Sequence, residues 1–130
     1  MTAPLSGGVI TFADGLPGFE ASRRYVLIAS PALDPFTCLR AVDAPEPSFL
    51  AINPRYLVPD YRLPLTAADR TKLRSEPDAP LLWLALINAH QSPATVNLRA
   101  PIVINPDTMF GVQVLTADAA YPLDHVLSDV

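Results

Sequence analysis

The chain has 130 residues, half of them hydrophobic and 17% charged, which is one domain's length and too apolar a composition for a disordered segment. Thirteen acidic against nine basic residues leave a formal charge of 4 negative, which weighs against the cationic track that direct nucleic-acid binding needs. The longest apolar run, Leu81 to Ile87, is seven residues, against the roughly twenty of a membrane-spanning helix. The bases are eight Arg and a single Lys, and the planar guanidinium suits carboxylate pairing and protein interfaces. Cys38 has no second cysteine to pair with, and Met1 to Ser6 lack the basic start and apolar core of a signal peptide. The expectation is a cytoplasmic single domain over 1–130.

Fifteen prolines cut the chain into short pieces and exclude long helices. The first strand is expected over Gly8 to Phe12. A compact bend follows, Phe12-Ala13-Asp14-Gly15-Leu16-Pro17-Gly18-Phe19-Glu20, because Asp-Gly and Pro-Gly are turn dipeptides. Pro17 fixes its φ and Gly18 takes a positive φ in a type II turn, so Phe19 and Glu20 emerge in a set direction. Phe19 there is either a plug for a barrel end or a binding anchor. Strands are next expected over Arg24 to Ala29, Phe36 to Val42 and Ser48 to Ile52, with Cys38 a buried, inert thiol.

Asn53-Pro54 closes a strand, since proline pushes the preceding residue out of the α region. One helix is expected from Ala67 to about Arg74, with Thr66 as N-cap and Asp69 three residues on. Leu65 and Leu73 pack inward there, while Arg70, Lys72 and Arg74 face solvent near the negative end of the helix dipole. Tyr25 to Ala29 and Leu81 to Ile87 do not alternate, so both faces of those strands are apolar and the outward face needs a cover. The short helix, the loops or another protein can supply it. Strands over Val96 to Ile104 and Phe110 to Leu115 complete the chain, with Asn105-Pro106 closing the former. The fold class is mainly β: a small antiparallel β-barrel-like single domain with one short α-helix at about residues 67–74.

Little in this pattern carries catalysis. Cys38, His90 and His125 fall in no local motif and show no close ligand pair of the kind zinc sites use. No phosphate-cradling loop or G-x-S-x-G elbow occurs, and carboxylate pairs such as Asp43 with Glu46 or Asp118 with Asp124 fit surface turns. The expectation is a binder of proteins, not an enzyme, with no cofactor and no metal. A small-ligand or enzymatic barrel is the alternative. An oligonucleotide-binding barrel needs exposed aromatics among bases, and only Tyr56 and Tyr61 near Arg55 and Arg62 offer such a cluster, which fits an ordinary turn as easily.

Three groups of residues together give a more specific resemblance: Phe12 with Asp14-Gly15-Leu16-Pro17-Gly18-Phe19-Glu20, then Ile52-Asn53-Pro54 with Pro59-Asp60-Tyr61, then Asn97-Leu98-Arg99-Ala100-Pro101-Ile102-Val103-Ile104-Asn105. From about Val9 to Leu127 the chain resembles the flagellar assembly factor FliW family. That resemblance implies a cytoplasmic β-barrel that binds flagellin and binds CsrA, the RNA-binding repressor of flagellin synthesis, with no membrane and no direct nucleic-acid partner. Contact is expected on surface reached by Phe19, Asn53, Asn97 and Asn105, with the acids Glu20 and Asp60 steering approach. For each asparagine a turn cap is the other reading. Against the family pattern only about eight residues precede the first strand. In the tail Asp124 stands where a basic residue is usual, and Val126 where a proline is.

Overall fold

The computed structural model describes residues 8–16, 19–42, 47–76, 78–90, 92–115 and 121–127. Four strands, β1 (Val9–Phe12), β2 (Arg24–Ile28), β3 (Phe36–Ala41) and β4 (Ser48–Ile52), form an antiparallel meander. β5 (Leu82–Asn88) pairs with β4, β7 (Ile102–Asn105) with β5, and β8 (Phe110–Gln113) with β7, all antiparallel. β8 then meets β1 with Thr11 opposite Phe110, a parallel pairing that closes a seven-stranded barrel. Two short strands, β6 (Thr95–Val96) and β9 (His125–Val126), extend the wall beside β5.

Alternation along each strand decides which side chains fill the barrel. Ile10 and Phe12, Tyr25 and Leu27, Leu39 and Ala41, Ala51, Leu84, Ile102 and Ile104 form one buried cluster. The rings of Phe12 and Tyr25 meet edge to face at 5.4 Å. Gly111 makes room for them, since a Cβ there would lie 2.6 Å from a Phe12 ring carbon.

The strand expected from Val96 to Ile104 is broken. β5 pairs Leu84 with Ile102 and Ile87 with Val96, so three steps along β5 are matched by six on its neighbour. The surplus residues loop out at Asn97, whose side-chain oxygen accepts bonds from the Arg99 and Ala100 amides at 3.0 and 3.1 Å. An asparagine that competes for backbone donors interrupts a ladder in this way. The strand expected over Phe110 to Leu115 is also shorter, ending at Gln113.

The apolar outer face of β5 is covered by the chain itself. Helix α1 (Ala67–Leu73) sets the fully buried Leu73 on Val103, Val112 and Val114, with Leu65 packed alongside. It carries the expected cap: the Thr66 hydroxyl accepts from the Asp69 amide at 3.0 Å and the Asp69 carboxylate from the Thr66 amide at 3.1 Å. The other flank is covered by Tyr61 and Leu63, which pack on Ile52, Ala85, Val96 and Leu98. The expectation of a buried Cys38 is corrected: the thiol is half-buried on the outer wall, opposite Ile28 and Leu50, because alternation turns Leu39 inward instead.

Two buried tyrosines differ in how their hydroxyls are satisfied. The Tyr61 hydroxyl donates to the Leu98 carbonyl at 2.5 Å, whereas that of Tyr25 has no hydrogen-bond partner among the described residues. Burial pushes both phenols above their usual pKa. Tyr61→Phe is therefore expected to cost ~1–3 kcal/mol, because it orphans a buried carbonyl. Tyr25→Phe should be neutral or stabilising by up to about 1 kcal/mol. Urea melts of the two variants check the contrast, and equal losses would refute it.

Candidate functional site

The bend after β1 is built by short-range bonds. The Gly15 amide donates to the Phe12 carbonyl at 2.9 Å, and Gly15 sits at φ +67°, which admits glycine without strain. Leu16 is buried and bridges to Phe19, whose amide donates to its carbonyl at 2.7 Å. Pro17 and Gly18, and with them the expected positive φ of Gly18, lie outside the described residues. Phe19 stacks edge-on against Phe49 at 5.3 Å, yet 40% of it stays exposed. It thus rests on the barrel core and still faces solvent. Glu20 stands exposed on the rim of a cleft of about 270 Å³ shared with Asp14, Lys72 and Leu115. Across that cleft Lys72 meets Asp14 at 2.6 Å, a hydrogen-bonded pair that lowers the carboxyl pKa and raises that of the ammonium.

A second region forms around the 3₁₀ turn Pro54–Tyr56. Asn53 caps it, its side chain accepting from the Arg55 amide at 2.9 Å. Arg55 Nε donates to the Tyr61 carbonyl at 3.2 Å, and Asp60, the residue before Tyr61, is exposed. Tyr61 also stacks on Tyr121 at 4.5 Å. The Tyr121 hydroxyl accepts from the Arg62 amide at 3.1 Å, and its carbonyl accepts from Arg99 Nε at 3.1 Å. The tail is therefore strapped to both the loop after the 3₁₀ turn and the Asn97 loop before it pairs through β9. Asn97, Asn88, Thr95, Leu123 and Asp124 line a cleft of about 460 Å³ between the tail, β6 and the end of β5.

These placements split the residues expected to meet a partner. Phe19 and Glu20 occupy the bend, at the barrel end where β2 and β4 begin, whereas Asn53 and Asn105 follow the last residues of β4 and β7 at the opposite end. Asp60 belongs with Asn53, and Asn97 stands on the wall between the ends. Asn105 is buried; its amide donates to the Leu73 carbonyl at 3.1 Å while its oxygen accepts from Asp107 at 3.0 Å. All three asparagines thus use their side-chain oxygen on a nearby backbone amide. Tyr121, which joins the regions, entered the sequence reading only as the start of the tail and was given no role; its being the one aromatic residue after Phe110 was the available signal. The aromatic-basic cluster resolves into one core residue, Tyr61, and one exposed residue, Tyr56.

Among the described residues no group of three or more His, Cys, Asp or Glu side chains is placed to hold a metal ion, and no helix is long and apolar enough to cross a membrane. A sequence profile described as FliW protein matches residues 6–127, which takes in the bend, the capped turn, the Asn97 loop and the tail. The chain belongs to the FliW family. A FliW protein of Geobacter sulfurreducens, named as a flagellar assembly factor, is 32% identical over 123 residues, covering 93% of this chain and 77% of the relative. The FliW protein of Caldicellulosiruptor bescii, of the same name, is 32% identical over 121 residues, covering 92% and 79%. A crystal structure of the flagellar assembly factor FliW matches the fold at a TM-score of 0.82 and 28% identity, over 91% of this chain and 84% of that one.

Proposed function

We propose that this FliW-family chain is a non-catalytic, stoichiometric regulator in the cytoplasm: it binds CsrA, relieves its repression of flagellin synthesis, and yields to newly made flagellin. The observation that carries the reading is family membership across 6–127, together with relatives named flagellar assembly factors. The formal charge of 4 negative supports it, because an RNA-binding partner presents basic surface and opposite charges speed encounter. The filled barrel interior favours a surface binder over a ligand-holding barrel.

Titration of the purified protein into a preformed CsrA–RNA complex tests the reading. RNA release should saturate at a fixed ratio of the two proteins with no nucleotide or metal added, and flagellin should restore RNA binding through linkage. RNA that stays bound at several-fold molar excess would sink it. Glu20 and Asp60, exposed in different regions of the surface, report which one faces CsrA. Reversal to Lys at the facing one should slow association and flatten its salt dependence, while reversal at the other leaves both unchanged.

A further inference from the structure

The two covers on the outer face of β5 are joined through Leu63-Pro64-Leu65 and leave a groove beside that link. Trp83 packs at the margin of both outer clusters, half-buried, with Tyr61 edge-on at 6.4 Å. The seam above it is a groove of about 560 Å³, with Leu65 and Leu81 among its apolar walls. Three guanidinium groups line it, each from a different covering element: Arg55 from the 3₁₀ turn, Arg62 from the following loop and Arg70 from α1. Arg70 has a partner of its own and Arg55 gives its Nε to the Tyr61 carbonyl, which leaves the Arg62 guanidinium and the remaining N–H groups of Arg55 to meet a ligand. In a chain of net charge 4 negative, three of eight arginines thus converge on one apolar floor.

We infer that this groove is a docking site for an acidic peptide segment of a partner protein, one that alternates carboxylate and bulky apolar side chains. The guanidinium fork pairs carboxylates with two parallel bonds, and arginine and tryptophan are the residues around which binding energy concentrates. Nucleic acid is the poorer fit, because a phosphate backbone needs a continuous cationic track and the surface as a whole is acidic. The inference stands without CsrA or flagellin being the partner, and its test uses neither.

Trp83 is the sole tryptophan of the chain, so its fluorescence reports on the groove directly. The protein is titrated with a capped hexapeptide alternating Glu and Leu, with the same peptide carrying Gln for Glu, with a uridine hexanucleotide and with inorganic phosphate. A saturable change in Trp83 emission is expected with the Glu peptide. Its affinity should drop at least about tenfold for the Gln peptide and about fivefold or more for Arg62→Gln, in keeping with the loss of one charge-assisted pair. Arg62 lies in a loop, so its variant should keep the parent's thermal melt. Raising the salt from 50 to 300 mM should weaken the Glu peptide on the unaltered protein, a readout that needs no variant. No saturable change, equal affinity for the Glu and Gln peptides, or tighter binding of the hexanucleotide or phosphate would each overturn the inference.

Discussion

Replacing Gly15 by valine is expected to cost about 2–6 kcal/mol, combining strain of ~1–3 from a left-handed backbone with overpacking of ~1–3. At φ +67° a Cβ on residue 15 would stand 2.7 Å from the Glu20 Cα and 2.8 Å from the Glu20 carbonyl oxygen. Those are backbone atoms, and bonds from the Phe19 amide to Leu16 and from the Ser22 amide to Phe19 hold the segment around them. Nothing nearby can swing aside as a side chain would. Gly15→Asn separates the two contributions, because asparagine tolerates the left-handed region but brings the same Cβ. Thermal and urea melts should place the Asn variant close to the Val variant. An Asn variant that melts like the parent would show that backbone angle, not crowding, sets the cost.

Leu73→Ala should destabilise the protein by ~2–5 kcal/mol, the range for removing a fully buried leucine from a packed site. A helix of seven residues has no stability of its own in water, so α1 persists through what it touches. Leu73 supplies the apolar contact, on Val103, Val112 and Val114, and its carbonyl accepts from Asn105 at 3.1 Å and Thr108 at 2.8 Å. Arg74 stacks over Phe110 at 4.1 Å just beyond. The Lys72–Asp14 pair at the same helix is solvent-exposed and screened, so Lys72→Met serves as the control and should leave the melt nearly unchanged. If Leu73→Ala leaves the global urea midpoint intact and only raises amide exchange over 66–74, the helix is a separable flap and the assignment of Leu73 to the core is wrong.

Much of this was legible because the strands obey simple rules. β-branched and aromatic runs between prolines marked β1 to β5, and the Thr66–Asp69 pair fixed where α1 starts. The unbroken apolar run at Leu81 to Ile87 announced a second, outer core before any partner for it was visible. What escaped was non-local. That Val96 to Ile104 breaks at Asn97 depends on an asparagine side chain taking backbone donors, and the same residue type at Asn53 does so without breaking a strand. That Cys38 faces outward depends on register, which a one-residue shift would reverse. Phe19 read either as plug or as anchor, and the structure has it touching Phe49 with 40% still exposed. The arginine groove was invisible because its three arginines lie on separate elements and converge only when the covers fold over β5.

The pairing of β1 with β8 joins strands from near the two ends of the chain, and this constrains the protein while it is being made. A ribosome releases the meander of β1 to β4 first, as an open sheet whose two border strands still show unpaired amides and carbonyls. The β4 border waits for β5 and the β1 border for β8, so the nascent chain carries at least one sticky edge through most of its translation. Loop closure over so long a span is slow. A stalled or prematurely ended message would therefore yield not a smaller barrel but a ribbon primed to pair with its neighbours, and dosage of intact chain would depend on finishing the last third of the coding sequence.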